Sequence, residues 1–122
     1  MHLTKYSVTI TTAATGGAGT GYVGPCNGEI KRIAYVKDDY SAGCDFVVTT
    51  EETAQAIWTG TAINATVALC PHQAVSGNTG TAATYDGTRP VLAPMVVANE
   101  RIKIAVADGG VSKAGTFYIW VG

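Results

Sequence analysis

Residues 101–107, Arg-Ile-Lys-Ile-Ala-Val-Ala, alternate strictly: Ile102, Ile104 and Val106 point one way, Arg101, Lys103 and Ala105 the other. Asp108-Gly109-Gly110 then turns the chain, and Thr116-Phe117-Tyr118-Ile119-Trp120-Val121 alternates again. Period-2 patterning around a glycine-rich reversal predicts two facing β-strands. The same rule assigns a first strand to residues 5–12, where Tyr6, Val8 and Ile10 alternate with Ser7, Thr9 and Thr11. Ala13–Gly19 reads as a flexible hairpin loop, Thr20–Val23 as a short strand, and Gly24-Pro25 as its stop. Gly28–Lys37 is the next strand, with Ile33 and Tyr35 on one face and Ile30, Arg32, Ala34 and Val36 on the other.

Lys37–Gly43 is a polar turn, Cys44–Thr50 a β-rich run, and Glu51–Gln55 its break, with room for one helical turn at most over Glu51–Ile57. Ala56–Thr61 resumes an extended pattern. Residues 62–70 alternate through Ile63, Ala65, Val67 and Leu69 until Pro71. His72–Arg89, rich in Gly, Thr and Ala, carries no periodicity and is assigned to a long loop, of the kind that is functional or ordered by a partner. Pro90–Ala98 is a strand that Pro94 confines to an edge or a bulge. Eight or nine short strands at this spacing predict an all-β fold, an antiparallel β-sandwich of jelly-roll type. The 122 residues fit one domain, 1–122, with flexible loops near 13–21 and 72–89.

Composition sharpens this picture. Charged residues make up 14% of the chain, against about 25% in an average domain, and that scarcity favours association over a solitary existence. A net charge of −1 supplies no basic field for nucleic acid. No apolar run is long enough for a bilayer, so no membrane partner is expected. Met1–Lys5 is not followed by a signal-peptide core, and the expectation is synthesis and use without export. Cys26, Cys44 and Cys70, odd in number and without a C-x-x-C pair, then read as free, buried thiols.

Chemistry-bearing residues yield no catalytic constellation. Cys70 and His72 raise the idea of a metal or a nucleophile, but zinc needs about four ligands and a nucleophile needs an orienting third group. Asp38, Asp39, Asp45, Glu51 and Glu52 sit at turns, where such residues suit the backbone. Asp108-Gly109-Gly110 lacks a calcium-loop ligand series. Gly16–Gly21 lacks the lysine and following helix of a phosphate loop. The sequon Asn64-Ala65-Thr66 carries no weight without export. Trp58, Trp120, Tyr6, Tyr35 and Tyr118 raise a sugar platform, although aromatics on one strand face are more often core. Tyr118 and Trp120 are the exception: with Phe117 and Ile119 facing the core, they point outward and are the candidate interface with a neighbouring subunit. No catalytic residue, metal or cofactor is expected.

Three stretches taken together resemble small virion structural proteins of tailed bacteriophages, encoded among head genes. These are Ile33–Asp39 with Asp45-Phe46, then Thr49-Thr50-Glu51 with Ala56–Thr59, and Ala98–Ile104 leading to Gly115-Thr116-Phe117. The likeness spans most of residues 28–122 and rests on strand-and-turn signatures. It implies a capsid decoration or cement protein, not an enzyme, made in the host cytoplasm and bound to the outside of the shell. Its implied partners are the major capsid protein and copies of itself, as a dimer or trimer. The alternative is a neck, tail or fibre component that binds a receptor or glycan.

Overall fold

Strand β2, Gly19–Val36, is the hinge of the molecule. The computed structural model describes residues 3–122; Met1 and His2, the start of the segment read for an export signal, lie outside the described residues. The first half of β2 pairs with β8 (Val96–Ala107) and its second half with β9 (Ala114–Val121). The remaining strands are β1 (Thr4–Thr11), β3 (Cys44–Thr50), β4 (Ala56–Ile63), β5 (Val67–Leu69), β6 (His72–Ala74) and β7 (Leu92–Pro94). The main sheet runs β1-β9-β2-β8-β3-β4, with β5 also on β2, and β6-β7 form a separate pair. All these pairings are antiparallel.

Because β2 belongs to both halves, the curled sheet makes two layers: β1, β9, the end of β2 and β5 in one, and the start of β2, β8, β3 and β4 in the other. The fold is an all-β, antiparallel sandwich. No helix of the described residues is long and apolar enough to cross a membrane.

The core follows the period-2 pattern. Ile33, Tyr35, Phe117 and Ile119 from the first layer meet Phe46, Val48, Ile102 and Ile104 from the second, all of them buried. Aromatic rings join the layers: Phe46 lies 4.6 Å from Tyr35 and 4.9 Å, edge-on, from Phe117. Tyr40, in the turn after β2, stacks on Tyr35 at 6.0 Å, and its hydroxyl donates to Ile10 O at 2.5 Å. A side chain at Gly115 would collide with that Tyr40 ring.

Several local expectations need correction. The strands around Asp108-Gly109-Gly110 are not ladder neighbours, since β2 stands between β8 and β9 in the strand order. Gly24-Pro25 does not end a strand; it sits in a bulge, where β2 skips from Val23 to Cys26 in its register with β8. A proline without an N–H is tolerated where the ladder is already interrupted. Gly19, read as the end of the loop, already belongs to β2, as do Thr20 and Gly21. These glycines look wrong for a strand only until Ile10 is considered, because a Cβ at Gly21 would fall 2.7 Å from Ile10 Cγ1. Ile30 is buried with Ile33 and Tyr35 because a bulge between Ile30 and Arg32 resets the alternation.

Residues 62–70 are not one strand. β4 ends at Ile63, and the chain crosses to the other layer, where Val67 and Leu69 pair with Tyr35 and Ile33. Nor is His72–Arg89 wholly loop. β6 opens it, Ser76 bridges Ala82, and Thr84 bridges Pro90. Val75, Ala83 and Val91 exchange backbone hydrogen bonds of 2.7–3.0 Å, so this arm satisfies much of its own backbone. Within Pro90–Ala98, Met95 separates β7 from β8, and Pro94 lies in the two-stranded pair, an edge position.

Candidate binding surface

Alternation along β9 sends Phe117, Ile119 and Val121 inward, leaving Thr116, Tyr118 and Trp120 on the outside of the first layer. Strand register then fixes their neighbours. Trp120 lies between Lys5 on β1 and Arg32 on β2; Tyr118 lies between Ser7 and Ala34, with Ala68 of β5 beyond; Thr116 lies between Thr9 and Val36. Thr9 and Thr116 share a hydroxyl hydrogen bond of 3.2 Å. Three rows across four strands thus present one aromatic pair among small and hydroxylated side chains, over roughly 14 Å by 14 Å from strand spacings.

The aromatic pair holds cations. Tyr118 and Trp120 are half-buried, 6.1 Å apart between ring centroids and inclined by 35°. The Lys5 ammonium lies 4.3 Å from the Tyr118 centroid and 5.8 Å from that of Trp120, and the Arg32 guanidinium is 5.0 Å from Trp120. Quadrupole attraction at these distances orients both cations without neutralising them. Among the described residues the ion pairs are Lys31–Glu29, Arg89–Asp86 and Arg101–Glu51, so neither Lys5 nor Arg32 has a carboxylate partner. Lys5 was not singled out in the sequence, and Arg32 only as an outward residue. Their convergence on Trp120 depends on β1 and β2 flanking β9, which no local pattern encodes.

The other aromatics do not join this surface. Tyr35 is in the core, Trp58 packs on Phe46 at 5.7 Å, and Tyr6 lies against the core cluster. Cys70 is exposed, which corrects the expectation of three buried thiols; all three are free, and burial raises the pKa of Cys26 and Cys44. His72 meets Cys70 through its backbone, with Nδ1 2.7 Å from Cys70 O. Among the described residues no group of His, Cys, Asp and Glu converges as metal ligands would.

Several of the carboxylates are occupied with structure, while Asp38 and Glu52 are exposed. Asp39 accepts from Ala114 N at 2.5 Å and Asp45 from Ala62 N at 2.9 Å, while Glu51 accepts from Arg101 Nε at 2.6 Å. Glu100, missed in the sequence, accepts from Thr53 N at 2.9 Å and Glu52 N at 2.6 Å, organising the turn between β3 and β4. The Thr53 amide, then that of Glu52 and the Thr53 hydroxyl, hold its carboxyl below the usual carboxylate range against the opposing effect of burial. Asn64 Oδ1 accepts from Lys37 Nζ at 3.2 Å, and Thr66 Oγ1 accepts from Lys37 N at 3.0 Å, so the sequon residues serve a turn.

The chain is an all-β sandwich with an aromatic and cationic face on its first layer. Compared with models of known protein families and with curated protein sequences, it matches none.

Proposed function

We propose that this protein is a structural module of a tailed-phage virion, a decoration or cement protein that binds the outside of the capsid shell and stabilises it. The observation that carries the reading is the outer face of the first layer, where Tyr118 and Trp120 stand among Ser7, Thr9, Ala68 and Thr116. Short side chains lose little rotamer entropy when covered, and a central aromatic pair is the usual anchor of a protein interface. A standard interface takes about 800 Å² from each partner, roughly an eighth of this chain's 6632 Å² of accessible surface. Repetition on a symmetric lattice multiplies even modest contacts through effective concentration. The resemblance read from the sequence over most of residues 28–122 supports a phage setting for this reading. The major capsid protein is then the partner, and a dimer or trimer would match the lattice symmetry.

A neck, tail or fibre component that binds a glycan is the second reading, favoured by the solvent-facing Tyr118 and Trp120. The 35° inclination of the rings and the cations already lying over them count against a flat sugar platform. Copy number separates the two. Quantitative mass spectrometry of purified particles should find hundreds of copies per virion, as a shell lattice requires. Roughly six to twelve, the count of a closed ring, would assign the protein to neck or tail instead.

A further inference from the structure

We propose that the partner surface meeting Tyr118 and Trp120 is an acidic protein surface, with two carboxylates spaced to receive Lys5 and Arg32. The inference rests on the binding reading above and names the chemistry of its partner. Lys5 and Arg32 flank Trp120 on either side, each lying over an aromatic ring. Neither has a carboxylate partner among the described residues. Ring contacts restrain the cations before binding, which lowers the entropy lost when a carboxylate arrives. With β9 between them, their strands lie two ladder spacings apart, so the receiving carboxylates should be about 10 Å apart.

The surface itself discriminates among anionic partners. No pocket is found among the described residues, which disfavours a small ligand needing enclosure. A sugar or nucleobase stacks on an open ring face, and here cations occupy those faces. A phosphate backbone calls for several cations in a line, whereas the three rows of this face carry only Lys5 and Arg32. A second copy of the same face would set like charges against each other. A protein surface bearing paired Asp or Glu side chains needs no pocket and fits the charge.

The test follows the Trp120 indole signal by NMR while the intact protein is titrated with poly-L-glutamate, an oligothymidylate or polygalacturonate. Poly-L-glutamate should shift Trp120, and the shift should fade between ~50 and ~500 mM salt. The double variant Lys5→Gln/Arg32→Gln should bind about tenfold more weakly, while Lys103→Gln, on the opposite layer, should bind as the parent does. No shift with poly-L-glutamate, or a response confined to the nucleotide or sugar polymer, would overturn the proposal. Shells lacking the protein provide the second arm. If the parent and the double variant bind them equally, the cement reading stands and the acidic contact is refuted. If neither binds shells but Trp120 still responds to poly-L-glutamate, the acidic specificity stands and the cement reading fails.

Discussion

Tyr35 and Tyr40 stack 6.0 Å apart, yet removing their hydroxyls should change stability in opposite directions. The Tyr35 hydroxyl is buried with no oxygen or nitrogen partner, and only the Cys44 thiol, a weak acceptor, stands beside it. Its neighbour Cys44 directs its own thiol to Ile63 O at 3.3 Å. Leaving such a group unpartnered costs about 1–3 kcal/mol in desolvation. Replacing one oxygen by hydrogen forfeits only a few tenths of a kcal/mol in packing, by the usual cavity scaling. Tyr35→Phe should therefore stabilise the fold by about 1 kcal/mol, or about 4 °C in Tm for a chain of this size. Tyr40→Phe removes the donor to Ile10 O and should cost about 1 kcal/mol. The resulting gap of about 2 kcal/mol is roughly a thirtyfold difference in the folded-to-unfolded ratio. Urea unfolding under reducing conditions reads it directly, with unchanged m-values because both variants expose the same surface. Equal destabilisation of the two variants would refute the reasoning, since Tyr35 would then have a partner worth as much as that of Tyr40. The alkaline limb offers an independent check. Burial, then the neighbouring Cys44, pushes the Tyr35 pKa up from 10 to about 12. A raised folded value gives stability fully present below pH 10 and lost as pH rises towards 12.

Three further outcomes follow from named contacts. Gly115→Ala drives a methyl into the Tyr40 ring and should cost about 1–3 kcal/mol by urea unfolding. Glu100→Gln weakens the acceptor for the Thr53 and Glu52 amides, so those amides should exchange hydrogen faster by NMR. Because the folded pKa of Glu100 is depressed, its contribution is present above the unfolded carboxylate value and disappears as pH falls through the folded one; the acid limb of a pH–stability curve should flatten in the variant. A thiol reagent should label Cys70 in the native protein, with Cys26 and Cys44 reacting only after denaturation.

The layered β architecture was legible because Ile102–Val106 and Phe117–Val121 face a core on one side and solvent on the other, which makes alternation visible. Cys44–Thr50 coincides with the observed strand for the same reason. Legibility failed where one partner changed the rule. Gly19 was read as loop although β2 begins there, and Ile10 packed on the backbone of Gly19 and Gly21 explains why glycine suits this strand. The bulge at Lys31 reverses the face of Ile30 without a proline or glycine to announce it. In residues 72–91 most side chains are small and exposed, so no core imposes a period on the paired backbone. The outward placement of Tyr118 and Trp120 was readable from alternation alone. Their cation neighbours were not, because Lys5 and Arg32 are brought together by strand order across 27 residues of chain.

Particles made without the protein decide whether it reinforces a capsid by adhesion, as proposed. Genome release from such particles should be followed by dye accessibility during a thermal ramp or exposure to chelator, before and after addition of the purified protein. Particles lacking it should assemble but release DNA at lower temperature, and the added protein should restore their resistance. Particles equally robust with and without the protein would contradict that role.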